Sequence, residues 1–207
     1  MTAETIENLS RERLLDVAER LFSEKGFSDV TLRDIAQELD LSYASLYYHF
    51  PGGKEELFIA VTKRSIEGHG RALAALVERG SGDIRTQLFG IAEWFLSQPP
   101  LDLIRMAQSD MPALKPEEAR RLTNLLYGEI LLRLQGVIQE ADEGGEIHCS
   151  NPGLVSSALV GMVESFHSIP EYAVRGSKLN MAKEMIDIVL RGLEYRGLQD
   201  NEEQEKS

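Results

Sequence analysis

From Ser42 to Phe50 the chain reads Ser-Tyr-Ala-Ser-Leu-Tyr-Tyr-His-Phe, nine residues without a Lys, Arg, Asp or Glu. Wound into a helix, this stretch turns Leu46 and Phe50 inward and shows Ser42, Tyr43, Ala44, Ser45, Tyr48 and His49 outward. These side chains are small or aromatic, and most of them make hydrogen bonds. Such side chains suit base edges, thymine methyls and phosphate oxygens. Periodicity alone describes a capped surface helix of a bundle equally well. Elsewhere, His148-Cys149 and Glu164 with His167 contain metal-ligand types, but neither makes a full ligand set, and His69 stands between Gly68 and Gly70. There is no Ser/His/Asp spacing, phosphate-cradling loop or Gly-rich dinucleotide turn. Neither an enzyme nor a bound cofactor or metal is expected.

The elements that must position these residues are helices throughout, since no segment sustains strand-like alternation. A first helix over about Ser10–Lys25 places Leu14, Ala18, Leu21 and Phe22 on one face, and Gly26 ends it with Phe27 folding back. Thr31 and Asp34 make a capping box for a short second helix. Asp40-Leu41 is a turn and Ser42 caps the third helix, so that Leu32, Ile35, Ala36, Leu41, Leu46 and Phe50 form a small core. Two short helices joined by a tight turn after a longer one make a helix-turn-helix. Pro51-Gly52-Gly53 stops the third helix, and a long helix runs from Lys54 to about Arg79, where Gly80-Ser81-Gly82 breaks it. Further helices are expected at Asp83–Leu96, Leu101–Ser109, Pro116–Glu140, Pro152–His167 and Lys178–Arg196, with a disordered acidic tail over 199–207.

The charge opposes a nucleic-acid partner. The net charge is -12, and residues 1–56 carry twelve acidic against six basic side chains, whereas nucleic-acid binders are usually basic. A lone Cys149 excludes an internal disulfide. Met1–Ser10 is polar and acidic, and no apolar run is long enough to span a bilayer. A cytoplasmic protein without a membrane partner is expected.

The run Thr31-Leu-Arg-Asp-Ile-Ala-Gln-Glu-Leu-Asp-Leu-Ser-Tyr-Ala-Ser-Leu-Tyr-Tyr-His-Phe-Pro-Gly-Gly-Lys-Glu-Glu-Leu57 outweighs the charge. It resembles the DNA-binding domain of the tetracycline-repressor (TetR/AcrR) family, most diagnostically in Leu46-Tyr47-Tyr48-His49-Phe50 followed by Lys54-Glu55-Glu56-Leu57. The resemblance covers about residues 10–60. It implies that Ser42, Tyr43, Ala44 and Ser45 open a recognition helix in the major groove, that Tyr47, Tyr48 and His49 meet the DNA backbone, and that Thr31 and Arg33 lie nearby. Lys54 matches a lysine at the mouth of the fourth helix that faces a phosphate. Tyr47 and His49 can instead pack against the protein, and Arg33 can pair with an acid. Asp40 replaces the usual turn glycine, and the 51–53 linker is one residue longer than the commonest form.

By the same resemblance the fold is all-α. A three-helix helix-turn-helix domain over 1–53 precedes a helical effector-binding and dimerisation domain over 54–198. The last two helices, carrying Val189 among others, pair with a second copy, as a palindromic operator requires. Apolar residues on more than one face of the Pro116 helix predict that other helices surround it. The effector site is expected among Phe89, Trp94, Phe95, Leu103, Met106, Tyr127, Leu131, Met162 and Phe166, each of which core packing also explains. Arg105 pairs either with an anionic ligand or with Asp102 or Asp110. The expected partners are double-stranded operator DNA and a small hydrophobic effector that releases it. The alternative is a metal- or redox-responsive regulator using His148 and Cys149.

Overall fold

The N-terminal helices close around three phenylalanines. The computed structural model describes residues 3–79 and 82–194, with residues 3–10 and Ile104 as backbone only. The predicted tail over 199–207, the end of the last helix at Arg196 and the Gly80-Ser81 break lie outside the described residues.

Helix α1 spans Ala3–Asp29 and is interrupted at Gly26, whose φ of 82° and ψ of 169° are not helical. An L side chain rarely adopts that backbone, and a Cβ there would lie 3.1 Å from Arg105 Cδ. The turn sends Phe27 back into the core, its ring 4.9 Å from Phe58, which meets Phe22 edge-on at 5.1 Å. Helix α2 (Leu32–Glu38) starts at the predicted capping box: Thr31 Oγ1 accepts from Asp34 N, and the Asp34 carboxylate accepts from Thr31 N at 2.8 Å. Asp40 takes the left-handed turn position at φ 53°, which Asp tolerates better than most residues. Helix α3 (Tyr43–His49) is capped by Ser42, whose hydroxyl accepts from Ser45 N at 3.2 Å.

Helix α4 (Gly53–Arg79) is 27 residues long, about 40 Å at the α-helical rise, and serves two cores. Its first half gives Leu57, Phe58 and Val61 to the N-terminal core, which Leu114 and Leu122 complete from beyond it. Its second half gives Ile66 and Leu73 to the larger core, shared with α5 (Ile84–Ser97), α8 (Leu132–Glu143), α9 (Pro152–Ser165) and α10 (Lys178–Leu193). Arg64 holds α4 to α1 through Glu12, Asp16 and Glu19 at 3.1, 2.8 and 2.5 Å. Arg85 pairs with Asp187 where α5 packs on α10.

Two predicted helices are less regular than expected. In place of one helix over Leu101–Ser109, Asp102 caps a single turn, α6 (Leu103–Arg105), followed by a π-helical segment Met106–Asp110 and a 3-10 turn Met111–Ala113. The helix from Pro116 is α7 (Pro116–Leu126), a π-helical turn Tyr127–Leu131, and then α8. The wide turn shifts the apolar stripe, so Ile130 is buried while Tyr127 and Leu132 are 49% and 48% exposed. This rod is therefore not surrounded on every side, contrary to expectation. Among the described residues there is no strand, and no helix is long and apolar enough to cross a membrane.

Candidate functional site

Helix α3 contributes one fully buried side chain, Leu46, to the N-terminal core and leaves the rest of its surface outward. Tyr43, Tyr47 and Tyr48 are 48%, 42% and 70% exposed. The Tyr43 and Tyr47 rings meet edge-on at 5.0 Å with their hydroxyls 3.5 Å apart, and Tyr48 meets His49 at 5.4 Å. The hydrogen bond it shares with Tyr43 holds the Tyr47 phenol above its usual pKa, so Tyr47 stays protonated at neutral pH. Ser42 and Ala44 are exposed, while Ser45 and His49 are half-buried. Thr31 and Arg33 sit exposed at the start of α2, and Arg33 makes no ion pair among the described residues. All nine of these predicted residues thus lie on α3, at its cap or at the start of α2, which packs against it.

Lys54 is the exception. Its ammonium donates to Phe27 O at 2.8 Å and Ser28 O at 3.4 Å, and lies 4.4 Å from the centre of the Phe27 ring. The group expected to face a phosphate instead ties the first turn of α4 to the end of α1, using two of its three donors. Nearby basic charge is also partly spent: Arg20 pairs with Glu38 at 2.6 Å, and the Arg11 guanidinium lies 5.1 Å over the Phe50 ring.

Behind this module a buried clasp joins it to the helical domain. Asp110 is 2% exposed; its Oδ1 accepts from Phe27 N at 2.9 Å and its Oδ2 from Arg105 Nε at 3.3 Å. Arg105 also donates to Ser23 O at 2.9 Å and Phe22 O at 3.1 Å, and pairs with Asp102 at 3.2 Å. Of its two expected roles, the structure shows the pairing with both acids. The sequence offered Asp110 only as an alternative partner of Arg105, although a carboxylate among Met106, Met111 and Leu114 was a signal that it needed a buried partner.

The expected effector residues do not share one pocket. Leu103, Arg105 and Met162 line a cavity of about 740 Å³ between the end of α1, the 100–105 segment and α9. Phe95 borders a void of only about 20 Å³, and Met106 another of about 50 Å³. Phe166 is core, and Phe89, Trp94 and Leu131 pack half-buried against it. Tyr127 points outward, for the reason given above.

Three polar groups that the sequence raised in other roles are buried in the helical domain. Glu164 is 6% exposed, and its Oε2 accepts from Leu101 N at 2.8 Å while Oε1 has no hydrogen-bond partner. Burial pushes its carboxyl up to about 7. His69 stacks on Phe95 at 4.9 Å with Nδ1 unpartnered, and burial, with His167 nearby, pushes it down to about 4. Trp94 Nε1 is also buried without a partner. Cys149 is buried, His148 is exposed beside Asp142, and no group of three His, Cys, Asp or Glu among the described residues is placed to hold a metal ion.

Residues 14–61 match the family model for bacterial regulatory proteins of the tetR family. The chain is 50% identical over 50 residues to the HTH-type transcriptional regulator LmrA of Bacillus subtilis, covering 24% of this chain and 27% of LmrA. It is 40% identical over 57 residues to IcaR of Staphylococcus epidermidis, the negative transcriptional regulator of a biofilm operon, covering 28% of each. The alignments span only about a quarter of these relatives' length. The whole fold is similar to that of AibR in complex with isovaleryl coenzyme A and operator DNA, with a TM-score of 0.72 at 17% identity over 87% of this chain and 98% of AibR.

Proposed function

The chain belongs to the tetR family of bacterial regulatory proteins by its residues 14–61, and from that premise we propose a dimeric, sequence-specific repressor released from a palindromic operator by a small molecule. The exposed face of α3 carries this reading. A seven-residue helix with a single buried side chain presents Tyr43, Ala44 and Tyr48, with Arg33 and Thr31 of α2 beside them. In this reading Tyr43, Ala44 and Ser45 meet base edges, while Tyr47, Tyr48, His49, Thr31 and Arg33 meet the backbone.

The reader is the 1–53 segment, and the helical domain from residue 54 dimerises and senses. On α9, Leu154 is 64% exposed in line with the small, exposed Ser157, Ala158, Gly161 and Ser165, and on α10 Ile188 is 57% exposed. An apolar stripe with small residues suits close approach by the same helices of a second copy. Val189, the sequence choice for this seam, packs half-buried against its own core instead. The Arg105–Asp110 clasp gives the sensor a grip on the reader, because a ligand that shifts the 100–110 segment pulls on Phe27 and Ser23. IcaR, a negative transcriptional regulator, supports repression as the reading for this chain.

The test is fluorescence anisotropy with duplexes from the DNA upstream of the chain's own gene. Specific binding with a Kd on the order of 10⁻⁸ M or tighter at physiological salt is expected, with two chains per site. Equal affinity for a scrambled duplex would overturn the proposal.

A further inference from the structure

We infer that α3 reads thymine through its C5 methyl group, so that the operator half-site is rich in thymine over the base pairs this helix covers. The inference rests on the repressor reading proposed above and names the base chemistry that the reading left open.

Hydrogen bonding picks out single bases in the major groove through three kinds of side chain: Arg or Lys on guanine, Asn or Gln on adenine, and Asp or Glu on cytosine. From Ser42 to Phe50 the chain has none of the six. What remains is mostly hydroxyls, and a hydroxyl both donates and accepts, so it serves several bases and discriminates poorly. The fold restricts these further. Ser42 Oγ lies 2.9 Å from Ser45 Oγ and accepts from Ser45 N at 3.2 Å, while the Tyr43 and Tyr47 hydroxyls are 3.5 Å apart. Each pair commits one of its two hydroxyl protons within the helix. His49 is half-buried with its ring against Tyr48. The rest of the outward surface is carbon: the exposed Ala44 methyl, the Tyr43 ring beside it and the Tyr48 ring one turn on along the same face. A small side chain flanked by rings leaves room for a methyl group, and the C5 methyl of thymine is the apolar group that the major groove displays. With twelve acidic against six basic side chains over residues 1–56, attraction to phosphates is modest, and the methyl contacts carry a larger share of the affinity.

The test compares two duplexes by fluorescence anisotropy on the full-length protein: the DNA upstream of the chain's own gene, and the same duplex made with deoxyuridine for every thymidine. The exchange deletes the methyl and keeps every hydrogen-bonding group of the base. Burying one methyl is worth about fourfold in affinity, so one contact in each half-site should make the uracil duplex bind about tenfold more weakly or worse. Scrambled duplexes with and without the methyl should bind alike. Tyr43→Phe keeps the ring and drops the hydroxyl, and should hold operator affinity within about twofold with the uracil penalty intact. Ala44→Gly removes one side of the contact and should shrink that penalty to about threefold or less. If that variant fails to fold, Ala44→Leu, a good helix former that fills the same space, should shrink it as well. A uracil duplex bound as tightly as the thymine one, or a Tyr43→Phe protein that loses about tenfold, would overturn the inference. Specific binding without a uracil penalty removes the inference and leaves the repressor reading standing, whereas no preference for the upstream duplex over a scrambled one removes both.

Discussion

Removing Arg105 should unfold the protein more readily than the loss of any exposed ion pair. In Arg105→Ala the Asp110 carboxylate, 2% exposed, keeps only the Phe27 N–H and loses its countercharge. Breaking a buried pair on one side costs about 3–5 kcal/mol. Arg105 is itself a quarter exposed and its Nε–Oδ2 contact is 3.3 Å, so water can partly replace it, and the lower end, about 3 kcal/mol, is expected. The bond to Asp102 is more open and adds at most about 1 kcal/mol. Arg105→Lys keeps the charge but cannot reach Ser23 O, Phe22 O and both carboxylates with one ammonium, and should cost about 1–2 kcal/mol. Urea unfolding followed by far-UV circular dichroism, at several protein concentrations so that dimerisation is separated from folding, measures both variants. A double-mutant cycle with Asp110→Ala should return a coupling of about 2 kcal/mol. An Arg105→Ala protein within 0.5 kcal/mol of wild type, or a coupling near zero, would show that the clasp does not hold the two parts together.

Tyr43→Ala should weaken operator binding more than random-duplex binding, and equal losses would take Tyr43 off the base-reading face. The logarithm of operator affinity should fall with the logarithm of salt at a slope of about -4 to -5, from two or three phosphate contacts per half-site; a slope near -10 would mean that other basic groups dominate. Lys54→Ala should cost about 1–2 kcal/mol of stability through its carbonyl and ring contacts without changing that slope, whereas a slope flattened by about two, one phosphate per subunit, would return Lys54 to the phosphates. Ile188→Asp should cost the dimer about 2 kcal/mol or more, seen by sedimentation, and an unaffected dimer would move the seam elsewhere. Glu164 and His69 should oppose each other in pH dependence. The raised Glu164 favours folding below about 4.5 and loses that contribution as pH rises through about 7, while the lowered His69 favours folding above about 6.5 and loses it as pH falls through about 4. Each is worth about 3 kcal/mol, so E164Q should unmask stability that rises between pH 4 and 6.5, and a flat profile in that variant would refute the assignment.

The N-terminal module was legible because its signals are local. Gly26, the Thr31–Asp34 box, Asp40 and the Ser42 cap each act within a few residues, and the resemblance over residues 10–60 rests on the same stretch. The carbonyl partners of Lys54, Phe27 and Ser28, were not legible because they lie 27 and 26 residues earlier and carry no side-chain signature. The effector region was illegible for a related reason. Phe89, Phe95 and Phe166 have the composition of a binding wall and of a core alike, and only packing separates the two. The π-helical turns at 106–110 and 127–131 moved Asp110 inward and Tyr127 outward, and no 3.6-residue template anticipates such a shift.

The shared core of α4 bears on how such a protein can be recombined. Leu114 and Leu122 close the hydrophobic centre beneath the reader, and Asp110 supplies the acceptor for Phe27 N, so residues well beyond 60 are part of what makes the first 50 fold. A chimera that grafts residues 1–53 onto a relative's sensor would leave Leu57, Phe58, Val61, Leu114 and Leu122 behind. A workable transplant has to carry α4 and the 105–122 stretch as well, or re-engineer their counterparts. The unit of exchange is therefore discontinuous in sequence.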